Sequence, residues 1–348
     1  MTATRPPKTL RTLDQLVVAG LLDAGTAVGL QAVADRYAIA VTGPMADLAA
    51  TAPDGPVARQ FVPDRRELDH RPGEDVDPIG DGRHEKVPGL VHRYPDRVLM
   101  KLTYTCPVYC RFCFRREMVG KPAGQLIDDD AIGRMIDYVA AHPEIFEIIL
   151  TGGDPLVLSE RRIASVTAKL SAIPHVAALR WHTRVPVVAP DRITPAMVAA
   201  LRSSSKAVYI GIHTNHADEL TGDARAAIAR MADAGLALLS QTVLLKGIND
   251  DAATLDRLFR ALVALRVRPY YLHHADLAPG TAHFRTTIET GQAIMRELRG
   301  RLSGIAQPTY VLDIPGGVAK VPVGPSWLDG GTVTAPDGTC HDIAVSRG

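Results

Sequence analysis

Two rhythms of apolar and polar positions run along this chain. From residue 97 onward, short apolar runs read as strands: RVLMKLTY, FEIILTGGDP, VAALRWHT, AVYIGIHT, LALLSQTVLL and RPYYLHHAD. Between them, DDAIGRMIDYVAAH, SERRIASVTAKLSAI, TPAMVAALRSS, GDARAAIARMADAG and DAATLDRLFRALVAL carry apolar residues at helical spacing. Gly235 reads as a helix C-cap, and a helix near 290–301 and a strand TYVLDI follow. Strands alternating with helices predict parallel pairing with right-handed crossovers. Six such units suit an α/β barrel or partial barrel. The apolar runs are too continuous for a sheet with one wet face. Upstream the pattern differs. Leu10, Leu13, Leu16, Val17 and Leu21 recur at helical spacing, and 27–41 reads as a second helix. Residues 51–89 are rich in Pro, Asp and Arg and predict an irregular connection. These rhythms divide the chain into an N-terminal helical and extended region (1–90), a barrel (91–285) and a C-terminal segment (286–348).

Polar residues collect at the C-terminal ends of the predicted strands. They are Cys106, the turn Thr151-Gly152-Gly153-Asp154, His182 with Arg184, His213, His273 with His274 and Asp276, and Asp313. Barrel folds place their chemistry at that face. Histidine and arginine inside strand ends are costly unless used.

Composition narrows the classes. The chain has 348 residues, 46% hydrophobic and 22% charged, as in a soluble globular protein. A net charge of +1 gives no reason to expect nucleic acid or a membrane surface as partner. No apolar run is long enough to span a bilayer, and MTATRPPKTLRTLDQL has no apolar signal core, so a cytoplasmic protein is expected. Cytosolic thiols stay reduced. A cysteine cluster there points to metal or catalysis before disulfides.

Three of the four cysteines stand in TYTCPVYCRFCFRRE: Cys106, Cys110 and Cys113. A structural zinc site normally takes four protein ligands. Cys340, beside His341, is the only other thiol, so a zinc site with that partner stays open. A [4Fe–4S] cluster takes one thiolate per iron. Three thiolates would leave one iron open for a ligand.

This C-x3-C-x2-C loop after the first strand of a βα barrel resembles the radical S-adenosylmethionine (SAM) superfamily. The turn TGGDP is similar to the one that superfamily sets against the methionine amino group. HRYPDRVLMKLTYTC, CRFCFRRE, TGGDPL, RVPVVAPDRIT, HTNHADEL, QTVLLKGIND, RVRPYYLHHADL, AHFRT and IPGGVAKVPV together resemble the lysine 2,3-aminomutase family, in order from about residue 89 to 325. The resemblance implies a radical SAM partial (β/α)6 barrel with an N-terminal helical extension and a short C-terminal segment. It implies a [4Fe–4S] cluster on Cys106, Cys110 and Cys113. It also implies SAM against Thr151, Gly152, Gly153, Asp154, His213 and Gln241, and pyridoxal 5′-phosphate (PLP) on Lys320. Arg93, Tyr94 and Arg97 fall at the positions that hold the PLP phosphate. The loop reads IPGGVAK instead of four consecutive glycines, with the lysine's register kept.

The implied reaction is an L-lysine 2,3-aminomutase isomerisation, in which a 5′-deoxyadenosyl radical drives a 1,2-amino shift that yields β-lysine. Arg115 falls at the position that pairs with the substrate carboxylate. Asp276 and Asp313 would close on the far end. Two neighbouring carboxylates repel unless a cation lies between them, which suits a basic side chain. Arginine, ornithine or glutamate as substrate, a radical SAM enzyme acting on a peptide or protein, and a plain iron–sulfur carrier are the competing expectations. Larger family members carry extra zinc cysteines. One would fall where this chain has Asp251 and the others in the tail, so that site is expected to be missing. The shortened form and CRFCFRRE look like the branch that supplies β-lysine for elongation factor P. A flavodoxin- or ferredoxin-type electron donor is implied, and a homo-oligomer is left open.

Overall fold

The computed structural model describes residues 9–121 and 127–343; the first eight residues of the basic N-terminal stretch lie outside them. Ten strands form one sheet in chain order: β1 Glu85–Val87, β2 Leu90–Tyr94, β3 Arg97–Thr103, β4 Glu147–Gly152, β5 Ala178–Thr183, β6 Ala207–His213, β7 Ala237–Val243, β8 Val267–His273, β9 Thr309–Asp313 and β10 Lys320–Pro322. From β3 to β9 every neighbour is parallel. At the edges β1 and β2 turn antiparallel, as does β10. Among the described residues no backbone ladder joins β1 to β10, so the barrel is open.

Six helices fill the crossovers: Asp129–Ala140, Glu160–Ser171, Pro195–Arg202, Gly222–Asp233, Ala252–Ala264 and Ile288–Arg301. Each starts on a residue whose side chain accepts a backbone N–H of the first turn: Asp128, Ser159, Thr194, Thr221, Asp251 and Thr287. Such caps are worth about 1 kcal/mol each and fix where the helix begins. Gly235 follows the fourth helix at φ +80°, where a side chain would be strained. Apolar strand positions such as Met100, Leu102, Leu150 and Ile210 pack against the helices and are fully buried. Each contributes about 1.5–3 kcal/mol.

The N-terminal region departs from its sequence pattern. The expected helix over 27–41 is two short helices, Ala24–Gly29 and Gln31–Arg36. The chain is extended from Tyr37, and Val41 bridges back to Leu10. Ile39 and Val41 are β-branched and favour that extended course. Residues 51–89 hold one short helix, Ala58–Phe61, and two 3-10 turns, then enter the sheet at β1. The β1–β2 hairpin was not legible from the pattern. A second small sheet, Leu328–Asp329, Thr332–Thr334 and Cys340–Asp342, carries Cys340. No helix of the described residues is long and apolar enough to cross a membrane.

Candidate active site

The C-terminal ends of the parallel strands open into one cavity of about 500 Å3. Every site residue nominated from the sequence lines it: Arg93, Tyr94, Arg97, Cys106, Cys110, Cys113, Arg115, Thr151, Gly152, Gly153, Asp154, His213, Gln241, Asp276, Asp313 and Lys320.

The cysteine loop leaves β3 and is braced from outside by the N-terminal region. Tyr109 N–H donates to Ala40 O at 3.0 Å and Arg111 N–H to Gln60 O at 2.8 Å. The three arginines of CRFCFRRE divide their labour. Arg111 and Arg116 both reach Glu67, which has no exposed surface. Only Arg115 faces the cavity, where its Nε donates to Asp81 at 3.0 Å and its Nη1 to Thr151 at 3.4 Å. Burial and the charge of Cys110 push the Cys113 thiol up to about 11. Arg184 donates to Cys110 Sγ at 2.7 Å, a cation placed against a sulfur that would be anionic in a cluster. All three thiols are free.

The glycine turn after β4 is tight for a clear reason. Gly152 sits at φ +116°, and a Cβ there would collide with the Thr103 carbonyl at the end of β3. Asp154 lines the cavity, but its carboxylate serves its own chain. It accepts from Leu156 N–H (3.0 Å), Thr183 Oγ1 (2.7 Å), Arg184 N–H (2.6 Å) and Val185 N–H (3.2 Å). What this turn offers to a ligand is therefore backbone.

Lys320 opens β10 and lines the same cavity as the thiols. Its backbone N–H donates to Tyr94 Oη at 2.6 Å. Its ammonium pairs with Asp313 and donates to His273 Nδ1 at 3.3 Å. Arg93 donates to Asp313 at 3.0 Å and to Ile79 O at 3.2 Å. Asp313 thus lies between two cations of the protein itself. Asp276 has no ion-pair or hydrogen-bond partner among the described residues. Burial, and then the nearby Asp313, push its carboxyl up to about 7. Arg97 donates to Asp96 at 2.6 Å and stacks over Tyr94.

Three imidazoles line the same space. His213 is pushed down to about 3, chiefly by burial, and its Nε2–H donates to Asn215 at 3.3 Å. Burial and the cations Arg180, Arg115 and Lys320 hold His182 well below its ordinary value. Burial and Lys320 do the same to His273. Gln241 donates to His182 Nε2 at 3.2 Å.

Sequence reasoning missed Asp81, Glu147, Arg180, Tyr270 and Tyr271. Asp81 lies in the irregular strap and touches Arg115 across 34 residues, a distance no local pattern encodes. Arg180 and Tyr270 interrupt apolar strand runs, and that interruption was the available signal.

The profile described as "Radical SAM superfamily" matches residues 100–258. The L-lysine 2,3-aminomutase of Fusobacterium nucleatum is 42% identical over 273 residues, covering 78% of this chain and 64% of that protein. That of Acetoanaerobium sticklandii is 41% identical over 276 residues, covering 79% and 66%. That of Escherichia coli is 39% identical over 272 residues, covering 78% of each. The chain spans just under two thirds of the length of the first two relatives. With a three-cysteine loop, a glycine turn and a lysine facing one cavity on this barrel, the chain belongs to the lysine 2,3-aminomutase family of the radical SAM superfamily.

Proposed function

We propose that this protein is an L-lysine 2,3-aminomutase, an isomerase that moves the α-amino group of L-lysine to Cβ. The observation that carries the reading is one cavity lined by three free thiols, by Lys320 and by an uncommitted carboxyl, Asp276. When bound, a [4Fe–4S] cluster with SAM supplies a hydrogen-abstracting radical and PLP supplies an aldehyde that carries the migrating nitrogen. The donor set fits these groups. Three thiols, with no fourth cysteine lining the cavity among the described residues, suit a cluster with an open iron. The backbone of the Gly152–Gly153 turn, His213 and Gln241 border the space for SAM.

The chain's own residues do the rest. Asp313 and His273 hold the Lys320 ammonium, and the Tyr94 hydroxyl holds its backbone. His273 is neutral and faces Nζ with a lone pair. Arg115, set by Asp81, offers a planar fork to the substrate carboxylate. Asp276 offers its charge to the substrate's ε-ammonium. A glutamate side chain would meet Asp276 as a like charge, which favours a basic amino acid.

The test is an anaerobic assay with reconstituted cluster, PLP, SAM, a chemical reductant and L-lysine, read by chromatography for β-lysine. Product that is lost in Lys320→Ala and Asp313→Ala is expected. SAM cleavage without β-lysine would remove lysine as substrate, and arginine, ornithine and glutamate would be tried in turn. A flavodoxin- or ferredoxin-type protein would supply the electron in the cell. Supply of β-lysine to elongation factor P is the downstream role. Unchanged β-lysylation of that factor in a deletion strain would sink it.

A further inference from the structure

The thiol loop has one buried cation against it whose part in the chemistry is still unassigned. Arg184 directly follows β5, is 5% exposed and lines the cavity. Its backbone N–H donates to the Asp154 carboxylate at 2.6 Å, which pins it to the glycine turn. Its Nη2 donates to Gln60 Oε1 at 2.6 Å and to Glu219 at 2.5 Å, and both of those partners are fully buried. The guanidinium carbon lies 4.7 Å from the Phe61 ring centroid and 5.5 Å from that of Phe112, the loop residue beside Cys113. Backbone, ring contacts and one end of the fork are therefore all fixed. The other end is aimed at sulfur: Nη1 donates to Cys110 Sγ at 2.7 Å. Nε is buried with no partner. A structural pair with Glu219 accounts for Nη2 alone. It leaves a donor on a weak acceptor and a second with none, both of which are costly in a buried site.

We propose that Arg184 raises the reduction potential of the [4Fe–4S] cluster through a charge-assisted N–H···S hydrogen bond to Cys110. The proposal rests on the cluster reading and adds a residue that tunes the cluster without ligating it. An added electron spreads negative charge over the sulfurs of a cluster. A cationic donor at one sulfur stabilises the reduced form more than the oxidised form, so the potential rises. A site shielded from water strengthens the effect. Two carboxylates, Glu219 and Asp154, face Cys110 from the same side and work against it. Glu219 meets Nη2 and Asp154 meets the Arg184 backbone, so Nη1 touches the sulfur directly.

The test is a redox titration of the full chain with its cluster reconstituted, in the absence of SAM, PLP and lysine. The protein is poised anaerobically at a series of potentials, and the reduced cluster is read by electron paramagnetic resonance. Arg184→Met is expected to leave about tenfold less reduced cluster at a set potential, a midpoint about 59 mV lower for a one-electron couple. Arg184→Lys keeps the charge and should recover part of the loss. Arg184→Gln keeps a donor without the charge and should fall between Lys and Met. Iron is counted in every sample, because a merely structural role lowers the amount of cluster and leaves the midpoint of what remains in place. An unchanged midpoint in Arg184→Met, whatever its iron content, would overturn the proposal. If Arg184→Met takes up no cluster, the Lys and Gln variants decide, and wild-type midpoints in both would overturn it. Loss of the cluster in all three variants would make Arg184 a part of the loop's scaffold and overturn the tuning role. A wild-type chain that takes up no four-iron cluster would overturn the cluster reading itself, an outcome distinct from a failure of Arg184 alone.

Discussion

Asp276 is a cavity residue whose ionisation falls in the working range of pH. Its carboxyl is raised to about 7 by burial and by Asp313. Below that pH it is protonated and neutral, and only its anion attracts an ammonium group. Lysine KM should therefore climb as pH falls through 7, approaching about tenfold per pH unit. Asp276→Asn should raise KM at every pH and abolish the slope. A wild-type KM that stays flat between pH 6 and 8 would remove Asp276 from the ammonium site. Arg115 and Lys101 show the same economy of charge. Lys101 is 1% exposed in β3, and its ammonium lies 3.2 Å from Glu85 and 4.0 Å from Asp81. Asp81 is held below the usual carboxylate range by Arg115 and Lys101, despite its burial.

At the scale of elements, the loop before Lys320 is held by backbone contact with the strap that precedes the barrel. Gly317 sits at φ +74°, and a Cβ there would lie 2.5 Å from Ile79 O. Gly80 meets Gly316 O in the same way, at 2.6 Å. His84 Nε2 lies 3.0 Å from Gly317 O. Gly317→Ala should cost about 1–3 kcal/mol and displace the lysine, seen as a lower Tm with weaker imine formation. Unchanged imine formation would show that the loop tolerates the change. The seven parallel strands were legible in the sequence because each is a largely apolar run that alternates with stretches of helical spacing. The hairpin of β1 and β2 was not, because KVPGLVHRY is short and its alternation is broken by Pro88 and Gly89. The site was legible where motif residues stand close in sequence, as in the cysteine loop. It was hidden where partners meet only after folding, as Arg180 does with Glu147 across 33 residues.

For the whole molecule, the N-terminal region is the outer brace of the cysteine loop. Glu67 receives both Arg111 and Arg116, and Gln60 and Glu219 receive Arg184. Removing one partner of a buried charge set leaves guanidiniums unpaired, at a cost of about 3–5 kcal/mol. Glu67→Gln should lower the melting temperature and also the iron retained after reconstitution. Lost stability with full iron content would separate the brace from the cluster loop.

The barrel's two edges meet without a backbone ladder. Tyr94 meets the Lys320 N–H, Arg93 meets Asp313, and Gly316 N–H reaches Pro78 O at 3.1 Å. The wall is thus a ring fastened by a clasp, while its other joints are riveted by ladder hydrogen bonds. A clasp of single contacts is a weaker joint than a ladder, and Lys320, the lysine proposed above to carry the cofactor, is itself half of it.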